Sequence, residues 1–287
     1  MKNQVFYRNV EVNGLTIFFR EAGTAGLPVL LLLHGFPSSS YMYRDLITDL
    51  KGRYHLIAPD YPGFGQSSAP GIDEFTYTFD NLSVIIEQFI DKLQLKDINL
   101  YIQDYGGPVG LRIACRRPEL IHSLIIQNAN AYVEGFGAAT DPLMAYIENP
   151  KENEQKARFF LTLDATKWQY LNGAGDVEKI SPDSWSVDQY YLARKNNDEI
   201  QLALFRDYGS NISKYEEWQA YFKKYQPHTL VVWGKNDEMF IAAGGHAYKK
   251  HLPKAEIHQL EGGHFLLEEH HEYVAELIDR FISASLK

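Results

Sequence analysis

Apolar and polar positions follow two periods along most of this 287-residue chain. Short apolar runs predict strands at 5–12, 15–20, 29–33, 55–58, 98–102, 123–127, 229–233 and 255–260. Asn13-Gly14 between the first two is a hairpin signal. The run 29–33 has no polar position, as a strand buried on both faces requires. Helical spacing follows around 43–50. It returns after Thr78 or Asp80, either of which could cap a helix through Leu93. Leu82, Ile85, Ile86, Phe89, Ile90 and Leu93 form the apolar stripe of that helix. Further helices are expected at 109–114, 215–224, about 242–250 and about 267–283. Strands alternating with helices predict an α/β fold, a mainly parallel sheet flanked by helices.

From 131 to about 214 the alternation stops. This stretch is helix-forming, polar and rich in tyrosine and tryptophan, with turns marked by Asp141-Pro142, Asn149-Pro150, Asn172-Gly173 and Ser181-Pro182. It reads as a helical cap domain, 131–214, inserted into a core domain formed by 1–130 and 215–287.

One stretch carries an unusual junction. The strand 98–102 runs through Gln103 into Asp104, then Tyr105-Gly106-Gly107, then a helix. Strand, tight turn and helix is the geometry of a nucleophile elbow, whose apex side chain stands over the carboxyl ends of a parallel sheet. The usual apex is serine in Gly-x-Ser-x-Gly. Here it is Asp104, with Ile102 in the first glycine position and Gly106 in the second. Taken alone, Asp104 reads equally well as a helix N-cap.

Composition narrows the chemistry. A hydrophobic content of 45% supports a full core, and aromatic content is 14%. The net charge of −9 argues against nucleic acid and anionic membranes as partners. The single cysteine, Cys115, cannot form an internal disulfide and reads as a small apolar residue. The beginning, MKNQVFYRNV, has no apolar signal core, and the run 29–33 is too short to span a bilayer. The expectation is a soluble cytoplasmic protein, monomer or homodimer.

Two more strands end in candidate chemistry: 229–233 in Gly234-Lys235-Asn236-Asp237, and 255–260 in Glu261-Gly262-Gly263-His264-Phe265. Asp104, Asp237 and His264 thus occur in the order nucleophile, acid, histidine. With His34-Gly35-Phe36-Pro37, Asp60-x-x-Gly63-x-Gly65-x-Ser67, Gln103-Asp104-Tyr105-Gly106-Gly107, Trp233-Gly234-x-x-Asp237 and Gly263-His264-Phe265, the chain resembles the α/β-hydrolase superfamily. It looks most like the aspartate-nucleophile branch of epoxide hydrolases and haloalkane or haloacetate dehalogenases. The resemblance covers nearly all of the chain outside the cap. It implies that Asp104 attacks a saturated carbon to form an ester. His264 then activates water against that ester, and Asp237 orients the imidazole. The backbone N–H groups of Phe36 and Tyr105 would form the oxyanion hole. His34 reads as a prop for these loops. No cofactor is implied, since neither a Gly-x-Gly-x-x-Gly turn nor a phosphate loop occurs, and no histidine pattern suggests a metal.

The leaving group is less legible. Haloalkane dehalogenases pair a tryptophan after the nucleophile with an asparagine after His-Gly or a second tryptophan; here those local positions are Tyr105 and Phe36. Haloacetate dehalogenases carry an arginine after the nucleophile, which Tyr105 replaces. Arg112 and Arg116 read as surface or salt-bridging residues. Epoxide hydrolases use two cap tyrosines, and Tyr208 and Tyr170 are the choices here, with Tyr215 next. Trp168 could wall an apolar pocket. The expected reactants are a small apolar organic molecule and water, most readily an epoxide opened to a diol. Halide release by the same mechanism is the alternative. A non-catalytic binding protein has no need of all three triad residues. Ester or lactone hydrolysis is disfavoured by aspartate at the apex.

Overall fold

The computed structural model describes residues 4–285. Eight strands among them form one sheet in the order β1-β2-β4-β3-β5-β6-β7-β8. They are β1 (Val5–Val12), β2 (Leu15–Ala22), β3 (Val29–Leu33), β4 (His55–Pro59), β5 (Ile98–Gln103), β6 (Ile121–Gln127), β7 (His228–Gly234) and β8 (Glu256–Leu260). β2 pairs antiparallel with β1 and β4. All other neighbours are parallel, as the alternation predicts. Asn13 and Gly14 have φ of 49° and 78°, the two positive values a two-residue type I′ hairpin needs.

β5 is buried at all of its positions, whereas edge strand β1 is half solvated. A central strand meets a core on each face; an edge strand need not. β3 shows how period two feeds both cores. Leu31 and Leu33 join one cluster, with Phe79, Leu82, Ile86 and Phe89 of α2 (Phe79–Lys92) and Val109 and Ile113 of α3 (Gly106–Arg116). Leu30 and Leu32 join the other, with Leu46 and Ile47 of α1 (Arg44–Leu50) and Val274 and Ile278 of the last helix, Leu267–Ser285. Thr78, not Asp80, caps α2: its hydroxyl accepts from the Asn81 N–H at 3.1 Å. The helices expected at 43–50 and 242–250 are each split into an α and a 3-10 part.

Between β6 and β7 lie α4 (Asp141–Glu148), α5 (Pro150–Phe159), α6 (Leu163–Leu171), α7 (Pro182–Leu192), α8 (Asn197–Ser213) and α9 (Tyr215–Tyr225). Polar ties, buried or half-buried, bind them to the sheet layer. Arg194 donates to the carbonyls of Gly63 and Gly65, both at 3.0 Å. Arg44 holds Glu268 and reaches Ser184 of α7. Arg112 is not a surface residue. It is buried, ion-paired with Asp80, and donates to Asn211 at 2.7 Å and Ser210 at 3.1 Å on α8. Its flank of α3 is covered by α2 and α8, which local periodicity cannot foresee. Arg116 pairs with Glu87 nearer the surface.

Candidate active site

At the end of β5 the chain turns through Asp104 with φ of 48°. A left-handed backbone at a residue with a Cβ costs roughly 1–2 kcal/mol, so the surroundings must hold it. They do so at several points. The Asp104 N–H donates to the Asn128 carbonyl at 3.2 Å, and the Gly107 N–H donates to the Asp104 carbonyl at 2.9 Å. The Phe36 N–H donates to Asp104 Oδ1 at 2.6 Å. Gly106 allows the turn to be this sharp: a Cβ there would lie 2.1 Å from the Leu33 carbonyl oxygen.

Parallel register brings the other strand ends alongside. β5 lies between β3 and β6, and β7 follows β6. The loop after β3 therefore delivers Phe36, and the loops after β7 and β8 deliver Asp237 and His264. His264 Nδ1 sits 2.7 Å from Asp237 Oδ2, and His264 Nε2 sits 3.8 Å from Asp104 Oδ2. All three side chains are buried. Asp237 is fixed by four partners. Its Oδ1 accepts from the N–H groups of Met239 and Phe240 at 2.8 and 3.0 Å. Its Oδ2 accepts from Asn128 Nδ2 at 2.7 Å besides facing His264.

The electrostatics follow from burial and neighbours. Burial raises the Asp104 carboxyl. The His264 charge and the backbone N–H groups of Phe36 and Tyr105 pull it back, Asp237 pushes it up again, and the net shift is upward. For His264, burial favours the neutral ring, but the Asp237 charge and hydrogen bond, with the Asp104 charge, raise its pKa overall. His34 is different. Burial drives it down to about 4, its Nδ1 lies 3.1 Å from the Gly35 carbonyl oxygen, and its Nε2 accepts from the Tyr61 N–H at 3.3 Å.

Over Asp104 lies an apolar cavity of about 30 Å³. Of the sequence-derived candidates, Asp104, Phe36, Tyr105 and Tyr208 line it. So do Phe136, Thr140, Met144, Phe205, Met239 and Phe240, which the sequence did not single out. Tyr215 stands behind, its ring stacked on Phe136 at 6.3 Å. Tyr170 and Trp168 lie outside the lining. The Tyr170 hydroxyl is committed to Asp188 Oδ2 at 2.5 Å, and its ring stacks on Phe265 at 3.9 Å. Trp168 borders a separate surface groove with Phe159 and Phe160. Cap position alone could not tell which helix face points inward.

Asn128 was also missed. Its φ of 38°, its grip on Asp237 and its acceptance of the Gly234 N–H at 2.9 Å make it the brace between β6 and β7. The only local hint is an asparagine just past an apolar strand, a residue that tolerates positive φ. Among the described residues no group of three or more His, Cys, Asp or Glu could hold a metal ion. No described helix is long and apolar enough to cross a membrane.

Comparison with known proteins agrees with this architecture. Residues 28–271 match the family described as alpha/beta hydrolase fold. An uncharacterized hydrolase of Saccharomyces cerevisiae is 36% identical over 278 residues, 95% of each chain. Epoxide hydrolase 4 of Mus musculus is 36% identical over 122 residues, 42% of this chain and 34% of that one. The crystal structure of the haloalkane dehalogenase DatA from Agrobacterium tumefaciens C58 superposes with a TM-score of 0.83 at 25% identity, covering 99% of this chain and 98% of that one. With the sheet, the elbow and these relatives together, the chain belongs to the α/β-hydrolase fold family and is a hydrolase related to haloalkane dehalogenases and epoxide hydrolases.

Proposed function

We propose that this protein is a cofactor-independent hydrolase that forms an ester on Asp104 and most readily opens epoxides to diols. The supporting observation is the seating of the Asp104 carboxylate. One oxygen is held by the Phe36 N–H, and the other is left toward the cavity and His264. In the first step Asp104 Oδ2 attacks a ring carbon, the carbon–oxygen bond breaks, and the alkoxide receives a proton. Tyr208 is the donor in this reading. It lines the cavity with Asp104, and burial keeps its phenol protonated. In the second step His264 takes a proton from water as the oxygen adds to Asp104 Cγ. The oxyanion so formed stays on Oδ1, where the Phe36 N–H already points, and the Tyr105 N–H beside the carboxylate is the second donor in this reading. Helices between 131 and 214 act as the cap over this chamber.

A second reading keeps the ester and expels halide. Its support is the full-length likeness to DatA. Against it, no tryptophan of the described residues lines the cavity, so the polar walls besides Asp104 come from Thr140 and tyrosines. Intact-mass analysis of His264→Gln, after exposure to a panel of epoxides and alkyl halides, separates the two. An adduct equal to the whole epoxide on Asp104 is expected. An adduct equal to the halide substrate less hydrogen halide would move the assignment to dehalogenation. An adduct mapped elsewhere would sink the mechanism.

A further inference from the structure

The residue before the proposed nucleophile has no part in the two-step scheme, yet it touches the base. Gln103 is fully buried, and its Nε2 lies 3.0 Å from His264 Nε2. Its Oε1 is buried with no hydrogen-bond partner. That oxygen lies against the same small space as the Asp104 carboxylate. A Cβ built on Gly35 would stand 2.6 Å from Gln103 Oε1 and 2.5 Å from Asp104 Oδ1. A glycine at 35 therefore keeps one pocket open for both groups.

The direction of the contact follows from bonding rules. Asp237 can only accept, so His264 Nδ1 carries the hydrogen on that side. In the neutral ring Nε2 is then a lone pair, and the Gln103 amide must present its N–H to it, leaving Oε1 free. A histidine between two carboxylates is prone to hold a second proton, and an imidazolium cannot act as a base. A donor fixed on Nε2 works against that.

We propose that Gln103 is a positioning residue for the hydrolytic half-reaction: its N–H keeps His264 Nε2 unprotonated, and its free Oε1 accepts a hydrogen from the water that attacks Asp104. This assignment rests on the covalent Asp104 reading given above. When the ester has formed, water takes the place of the Gln103 N–H at the single lone pair of Nε2 and lies within reach of Oε1. One of its hydrogens passes to Nε2, the other stays on the water oxygen and is hydrogen-bonded to Oε1, and that oxygen bonds to Asp104 Cγ. The ester bond to the product oxygen then breaks, and that oxygen takes the proton back from His264. Asp104 emerges as the carboxylic acid, and its proton returns to the Tyr208 phenolate left by ring opening, so charge and atoms balance with water as the sole co-reactant.

Gln103→Met keeps the side-chain length and removes both polar atoms. In rapid-quench mass spectrometry with an epoxide, adduct should form within about twofold of the wild-type rate and decay about tenfold more slowly. The His264 ring, followed by nitrogen NMR, should titrate about one pH unit higher, because the group that favours the neutral form is gone. A purely structural residue would slow both steps together and leave the titration in place. Unchanged adduct decay in Gln103→Met, or a titration that moves down, overturns the assignment. The wild-type spectrum near neutral pH adds a readout free of any folding defect. Nε2 should be unprotonated and hydrogen-bonded, and a protonated Nε2 there refutes the proposal. Absence of any Asp104 adduct in His264→Gln would instead remove the covalent reading, and the wild-type spectrum would still decide the Gln103 contact.

Discussion

Asp188 offers a quantitative test of a buried carboxyl that ties two helices of the 131–214 segment to each other. Its carboxyl is buried on α7, accepts the Tyr170 hydroxyl at 2.5 Å, and has its pKa raised to about 7. Burial is the main cause. The hydroxyls of Tyr170 and Ser38 and the charge of Arg44 oppose it, and the charge of Glu268 adds to it. The folded chain thus holds the Asp188 proton up to about pH 7, whereas the unfolded chain releases it near 3.8. The folded state binds the extra proton, so this contribution to stability is full below the unfolded value and is lost as pH rises toward 7. Between about pH 5 and about pH 8, roughly two units of this difference are titrated, which amounts to about 3 kcal/mol. Asp188→Asn removes the titration but keeps an oxygen for the Tyr170 hydroxyl. Urea unfolding of both proteins at the two pH values is the assay. Relative to wild type, the variant should gain about 3 kcal/mol on going from the lower pH to the higher. A difference between the two proteins that does not change with pH would refute the reasoning. So would a variant that loses ground at the higher pH.

Three further outcomes are expected. Tyr208→Phe should slow adduct formation from an epoxide about a hundredfold by quenched-flow mass spectrometry and leave adduct decay nearly unchanged. Asn128→Ala removes a donor to Asp237, orphans the Gly234 N–H and places alanine at φ of 38°. It should cost about 3–4 kcal/mol in urea unfolding, and a loss below about 1 kcal/mol would contradict the bracing role. Gly106→Ala sets a Cβ against the Leu33 carbonyl oxygen. Soluble yield and circular dichroism should show a loss above about 4 kcal/mol or failure to fold, and a native-like protein would show that the elbow can relax.

The sheet and its order of elements were legible because they rest on local periodicity. The runs around Leu31, Leu100 and Val231 have the single period that a doubly buried strand demands. The turn at Asp104 was legible because Gly106 and the apolar runs on either side allow few alternatives. Side-chain direction was not legible where neighbours decide it. Gln103 and Asn128 lie at strand ends, and their partners, His264 and Asp237, lie more than a hundred residues away in sequence. Arg112 reads as a surface or salt-bridging residue, and the ion pair to Asp80 is present, but its burial under α2 and α8 is not visible in the sequence. The aromatic residues of 131–214 show no clean stripe; the hydrogen bond to Asp188 takes Tyr170 out of the cavity, while Tyr208 enters it beside Phe205.

Asn128 has a mechanical consequence. Its carbonyl receives the Asp104 N–H, while its side chain grips Asp237 and the Gly234 N–H. Both carboxylates of the proposed catalytic line therefore hang from one residue at the tip of β6. A displacement of that tip is common to both carboxylates, so it cancels in the spacing between them. Thermal sway or a mutation that shifts β6 as a body leaves the proposed triad in tune. A change that separates β5 or β7 from β6 would detune it.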